Sequence, residues 1–208
     1  MDHGLNNGLP SDVASAIPPS EKILWIGKPD WKSLAYHAFF LKYLLIYLLL
    51  AAVYSVSVYG KDIDLGLFFV SFTPYLLSGV LAGSVISFIA FLQSKNTVYV
   101  LTEKRIIIRS GIALIFLLNA PLKNIESIDR QFLRNGCGNI SFSTTSKKRI
   151  PFLSCWPSVR PWSFISPKPA FRSVPEISEL ETIILSLVQH QKGNSHPSSL
   201  ITNMGLTA

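Results

Sequence analysis

Two long stretches without a charge divide this chain. The first runs from Tyr43 to Val58 and extends back through Lys42 to Ala35, giving the segment 35–59. The second runs from Leu65 to Ser94. About 20 consecutive apolar residues cross the hydrocarbon core of a bilayer as a helix. The pattern therefore predicts two transmembrane helices, 35–59 and 65–94, joined by the polar turn GKDID at 60–64. The second stretch would be about 45 Å long if straight. Pro74 predicts a kink in it, with the span proper from Thr73 to Leu92 and an interfacial lead-in before it. Lys42 sits close enough to one end to snorkel to the headgroups.

After Lys95 the period changes. YVLTEKRIIIRSG predicts two strands, Thr97–Leu101 and Arg105–Arg109, around a short polar turn. ALIFLLNAPL and IESIDRQFL are two further strand candidates. NGCGN at 135–139 marks a turn, ISFSTT alternates with period two, and RIPFLSC and AFRSV complete the series. SVPEISELETIILSLVQHQ then predicts a helix. Ser173 and Glu176 make a capping pattern, Pro175 falls in the first turn, and Ile177, Leu180, Ile183, Ile184, Leu187 and Val188 form one apolar stripe. The order predicts an α+β membrane protein. Its two transmembrane helices are followed, over 95–191, by an antiparallel β-barrel or orthogonal sheets closed by a C-terminal helix. Residues 1–20 read as a mobile arm without a signal peptide, and 192–208 as a disordered tail. Segment 21–34 reads either as an interfacial piece or as a short strand packed on the soluble domain.

Composition supports the membrane reading. The 208 residues are 49% hydrophobic and 15% charged, with mean hydropathy +0.36, against about a quarter charged in soluble domains. Formal net charge is +7. Residues 95–192 hold 14 Lys and Arg against 6 Asp and Glu, a net of +8. The turn 60–64 carries one Lys and both flanks carry more, so the positive-inside rule predicts cytoplasmic termini. Two cysteines, Cys137 and Cys155, are too few for a disulfide framework and read as free thiols.

The chemistry of a catalyst is not apparent. The four histidines, His3, His37, His190 and His196, lie in tails, at a membrane boundary and at a helix end. No metal-ligand spacing, P-loop or nucleophile elbow occurs, so no catalytic, metal or cofactor residue is assigned. The candidate contacts are of another kind. Trp25 and Trp31, among Lys22, Lys28 and Lys32, are the aromatic and cationic mix of a membrane surface. Lys147, Lys148 and Arg149 form a basic turn, with Arg130 and Arg134 near in sequence. Anionic lipid is a simpler counterpart than nucleic acid, because aromatic residues do not interleave with that basic run. CWPSVRPW contributes Trp156, Arg160 and Trp162 on a stretch stiffened by Pro157 and Pro161. It reads as a rigid corner, with Arg160 paired to an acid such as Glu179 or turned to a lipid or partner. Gly79 and Gly83, four residues apart, form a small-residue face suited to helix pairing or homodimerisation.

Two spans followed by a basic β-rich domain and a closing helix resemble the bacterial pleckstrin-homology-like membrane proteins. YVLTEKRIIIRSG is similar to their opening hairpin. EKILWIGKPDWKSLAYHAFFLKYLLIY, RIIIRSGIALIFLLNAPLKNIESID and PFLSCWPSVRPWSFISPKPAFRSVPE, taken in order, are similar to the PuhB family, photosynthetic complex assembly proteins of purple bacteria. The similarity covers roughly residues 18–190. It implies a non-enzymatic assembly factor of the photosynthetic inner membrane. Its expected partners are reaction-centre and core light-harvesting polypeptides, with self-association into a homodimer. A membrane protein of the same fold that binds anionic lipid, with no photosynthetic role, is the alternative.

Overall fold

A computed structural model describes residues 9–59, 64–112, 114–133, 135–144, 156–160, 167–192 and 201–203. In chain order the elements are α1 (Ser11–Ala16), β1 (Ile23–Gly27), α2 (Trp31–Ser33), α3 (Leu41–Tyr59), α4 (Leu65–Asn96), β2 (Val98–Thr102), β3 (Arg105–Ser110), β4 (Phe116–Pro121), β5 (Ile125–Phe132), β6 (Cys137–Thr144), β7 (Ala170–Pro175), α5 (Ile177–Lys192) and β8 (Ile201–Asn203). They divide into two units. One holds the described residues up to Asp30 and from Gln93 onward; the other is Trp31–Leu92.

The first unit is built on two four-stranded sheets, in the orders β1-β2-β3-β4 and β7-β6-β5-β8. All neighbours are antiparallel except β5 and β8. The sheets do not close into a barrel. Pro121 ends β4, and the 3-10 turn Leu122–Asn124 carries the chain into the second sheet. Between the sheets lies one core. Tyr99, Leu101, Ile106 and Ile108 come from the first sheet, Ile128, Ile140, Phe142, Phe171 and Val174 from the second, and Ile177, Leu180 and Ile184 from α5. Gly138 on β6 lets α5 approach: a Cβ there would lie 2.2 Å from Ile177 Cδ1.

The strands β2 and β3 are apolar on both faces, and the other face is also covered. Val98, Val100 and Ile107 point away from the main core into a second cluster with Val13 of α1 and Ile23 of β1. Alternation along each strand sends neighbouring residues to opposite faces. Residues 9–20 are therefore not an unattached arm. Val13 is fully buried, and the Asp12 carboxylate accepts from Arg109 Nε at 2.7 Å. Segment 21–27 proves to be the strand alternative, with Ile26 opposite Val100. The β2–β3 turn is tied by Thr102, whose hydroxyl accepts from the Arg105 N–H and donates to the buried Glu21.

Two other expectations are corrected. Ser173 does not cap the last helix. β7 continues through Pro175, opposite Cys137, and α5 starts at Ile177 after the left-handed turn at Glu176. Pairing along β6 outweighs the local capping pattern. The tail is not wholly unstructured, because Ile201–Asn203 adds a parallel strand to β5. RIPFLSC lies outside the described residues.

In the second unit, α2 runs into a π-helical turn, Leu34–Ala38, and Phe40 takes a left-handed conformation (φ 61°) before α3 begins. The first long helix thus starts at Leu41, not Ala35, and Lys42 falls in its first turn. It spans 19 residues, and α4 spans 32, about 48 Å at 1.5 Å per residue. Both are long and apolar enough to cross a membrane. Pro74 lies within α4 without ending it. Several hydroxyls along both helices are satisfied locally. Ser55, Ser57 and Ser84 donate to carbonyls one turn back, as does Thr73 beside the proline, which is what a solvent without hydrogen-bond partners requires.

Candidate functional site

The features with most interaction chemistry are the rigid corner at 156–160, the polar seam beneath it, and the surfaces that carry exposed apolar residues. The corner is stitched to 167–170. The Ala170 N–H donates to the Ser158 carbonyl and the Arg160 N–H to the Lys168 carbonyl, both at 2.9 Å, with Val159 bridged to Pro169. Pro157, Ser158 and Val159 are buried, and Trp156 is 36% exposed. Arg160 does not reach Glu179. Its Nη1 donates to Asp129 Oδ2 on β5 at 2.7 Å, and Lys168 Nζ lies 3.3 Å from the same oxygen. The Asp129 side chain is 5% exposed, so two cations lock the corner to the second sheet. Glu181 of α5 pairs with Arg130 instead.

Beneath the corner a chain of hydrogen bonds crosses between the sheets. Gln93 Nε2, at the end of α4, donates to Ser110 Oγ at 2.9 Å. Ser158 Oγ donates to the same hydroxyl at 3.1 Å and lies 3.3 Å from Tyr99 OH, which accepts from the Arg172 N–H. The Arg172 guanidinium donates to the Val159 carbonyl at 3.2 Å, while its Nε has no partner among the described residues. Burial drives the Arg172 pKa down to about 10, with the Tyr99 oxygen opposing the shift, and burial pushes Tyr99 up. No carboxylate among the described residues pairs with Arg172. The seam holds hydroxyls, one amide and a guanidinium, without a base set against a nucleophile. Among the described residues no group of three or more His, Cys, Asp or Glu is placed to hold a metal. What this arrangement does is hold: it fixes the end of α4 and the corner to both sheets.

The structure separates the sequence-predicted contact residues. Trp25 turns inward, its ring 5.8 Å from Phe171, and packs on the main core. Trp31 is 37% exposed, edge-on to Phe91, with Lys32 Nζ 5.7 Å from its ring. Lys147, Lys148, Arg149 and Trp162 lie outside the described residues. Gly79 and Gly83 are a helix-packing face, and the partner is α3 of the same chain. A Cβ on Gly79 would lie 2.6 Å from Leu48 Cδ2, and one on Gly83 3.3 Å from Leu44 Cδ2. The face expected for homodimerisation is thus occupied within the chain. Sequence reasoning missed the β3–β4 connection. Ile112, Leu114 and Ile115 are exposed there, Leu114 at 87%. The signal was an aliphatic run, GIALIF, where a hairpin turn is ordinarily polar; it was absorbed into the following strand.

Two helices apolar enough to cross a membrane, two mainly antiparallel sheets and a closing helix define an α+β protein of PH-like type. The chain belongs to the bacterial PH domain family, whose pattern matches residues 38–188. It is also similar, at 32% identity over 193 residues, to an uncharacterized 23.7 kDa protein in the puhA 5' region of Rhodobacter capsulatus. The alignment covers 90% of this chain and 89% of that one. No solved structure matches.

Proposed function

We propose that this protein is a non-enzymatic, integral membrane assembly factor for the photosynthetic reaction centre and its core light-harvesting complex. The observation that carries the reading is the near full-length relative beside puhA. The resemblance of three separate segments to photosynthetic complex assembly proteins points the same way. The geometry is consistent with it. Along α3 and α4, Leu45, Leu49, Leu77, Leu81 and Phe88 are each more than half exposed, which suits contact with lipid or with the helices of client subunits. In this reading α3 and α4 span the inner photosynthetic membrane with both termini cytoplasmic, and the domain holds cytoplasmic extensions of the clients. A homodimer would have to form on a helix face other than Gly79 and Gly83.

The test is a deletion strain scored by near-infrared absorbance, together with affinity capture of the full chain from detergent-extracted phototrophic membranes. Loss of reaction-centre and core-antenna bands, with enrichment of their polypeptides over a control membrane protein, supports the role. Unchanged spectra would sink it. Normal spectra with strong, salt-sensitive binding of the chain to anionic vesicles would favour the lipid-binding alternative.

A further inference from the structure

The two ends of the first sheet differ in polarity, and the difference follows the chain's path. At one end lie Glu21 and Lys22, which precede β1, the exposed turn Glu103–Lys104, and Lys123 after β4. At the other end β1 finishes at Gly27, opposite Tyr99, and β3 finishes at Ser110, opposite Phe116. Along the chain, β1 is followed by the boundary with the helical unit at 30/31, and β2 is preceded by the boundary at 92/93. Gln93, the first strongly polar side chain after the apolar run of α4, donates to Ser110, and Arg109 Nη1 donates to the Asn96 carbonyl at 2.8 Å. Ser94 Oγ donates to the Pro29 carbonyl. The last residues of α4, which follow its apolar run, are thus hydrogen-bonded to the end of β3.

Beyond that end of β3 the hairpin carries Ile112, Leu114 and Ile115, exposed by 42, 87 and 56%. Gly111 has φ +130°, and a Cβ on it would lie 1.9 Å from the Leu114 carbonyl oxygen, so glycine is needed for the backbone to fold back there. Lys28 is exposed after β1 and Lys95 lies in the last turn of α4, cations suited to phosphate headgroups. We propose that the tip of the β3–β4 hairpin is inserted, through Ile112, Leu114 and Ile115, into the surface of the lipid bilayer. This rests on the reading of α3 and α4 as membrane spans. The contact would fix the height of the domain on the membrane, and the aliphatic tip supplies what a charged turn such as Glu103–Lys104 cannot.

The experiment uses the full chain in phosphatidylethanolamine–phosphatidylglycerol vesicles, with Cys155→Ser and the buried Cys137 retained. An environment-sensitive fluorophore is placed at Leu114→Cys, Val80→Cys or Glu103→Cys, and nitroxide is carried at a shallow or a deep position on the lipid chain. Labelling of the parent without an added cysteine gives the background. For Leu114→Cys the shallow nitroxide should cut emission at least about twofold, and more than the deep one, as for a side chain at the headgroup–acyl boundary. Val80→Cys, outward-facing on α4, should be quenched most by the deep nitroxide, and Glu103→Cys by neither. Quenching at Val80 without quenching at Leu114 overturns the proposal and leaves the spans intact. No quenching at Val80 removes the spans and the proposal together. A blue-shifted but unquenched Leu114 label would mean that protein covers the tip, and also overturns it. Ile112→Cys, read in the same way, replaces Leu114→Cys if that variant does not fold.

Discussion

Val13→Ala is a direct measure of whether residues 9–17 belong to the fold. Val13 is fully buried among Ile23, Val98, Val100 and Ile107. The substitution removes two methyl groups from that cluster. At about 0.8 kcal/mol per buried carbon the transfer loss is about 1.6 kcal/mol. The void adds up to about 1 kcal/mol where the strap does not settle into it. The expected destabilisation is therefore about 2 kcal/mol. For a chain of this size each kcal/mol moves the midpoint by about 2–4 °C, so thermal unfolding should fall by roughly 4–8 °C. The full chain in non-ionic detergent, followed by near-UV circular dichroism and tryptophan fluorescence, is a suitable assay, since Trp25 sits on the strand beside this cluster. Leu114→Ala, at an 87% exposed position, is the control. In micelles it should lie within about 0.5 kcal/mol of the parent. If Val13→Ala is as mild as the control, α1 does not cover the sheet, and the account of its second face is wrong.

Other substitutions probe other contacts. Gly138→Val forces a side chain against Ile177 and should cost about 1–3 kcal/mol by overpacking, read in the same unfolding assay; a neutral result would mean that α5 does not close the core there. Leu48→Cys with Gly79→Cys should form an intramolecular disulfide in monomeric chains on mild oxidation, visible as a mobility shift. A crosslinked dimer instead would assign this face to a second copy. Arg109 holds the Asp12 pKa below its ordinary 3.8 by hydrogen bond and charge, against the opposing effect of burial. The pair thus contributes above pH about 3.8 and is lost as pH falls through the lower folded-state value. With Asp12 partly exposed, Asp12→Asn should cost less than about 1 kcal/mol at neutral pH and nothing once the pH is below that folded-state value, in a pH series of melts. Arg172→Met removes a buried cation whose pKa is lowered to about 10, worth about 3 kcal/mol of burial cost, and strands the Val159 carbonyl, worth about 1–3 kcal/mol. The two nearly cancel at neutral pH. A loss above about 4 kcal/mol would show that Arg172 has a strong partner. In the parent that burial cost is relieved as pH rises above about 10.

The helices and most strands were legible because their signals are local. Uncharged runs of helix length and β-branched runs between polar turns need no tertiary information. The strap over the first sheet was not legible from its own residues, since SDVASA offers one large apolar side chain. Its trace was elsewhere: VYV and RIII lack the alternation of a sheet with one face in water, which implies a cover without naming it. Ser173 shows the opposite failure. A Ser-x-x-Glu pattern before an apolar stripe is a sound helix start in isolation. Here the ladder with β6 runs through it, and Asn139 Oδ1 accepts from the Ser173 N–H that a helix would have used differently. For Arg160 the sequence left open an acid such as Glu179 or an outside partner; the acid it meets, Asp129, lies on a strand 31 positions away, beyond what spacing can resolve.

Gly79 and Gly83 show why a motif can fix a contact without fixing the partner. Small residues four apart let any helix approach closely, and in sequence a second copy and a neighbouring helix look the same. The tether decides between them. Only five residues, 60–64, separate α3 from α4, and a short linker sets an effective concentration in the millimolar range. A second copy would need to exceed that, or bind much more tightly, to displace Leu44 and Leu48 from the glycine face. The same would hold for a client of the proposed function. A reaction-centre or antenna helix would meet a hairpin already paired on its small-residue face, and would have to use the large exposed side chains of the outer faces, such as Leu45, Leu49, Leu81 and Phe88. Substitutions of these by alanine, pooled within one face and scored by client capture, should weaken capture while the Leu48–Gly79 crosslink still forms. Loss of both would mean that the hairpin itself had failed, and retention of capture would place the client on the soluble unit.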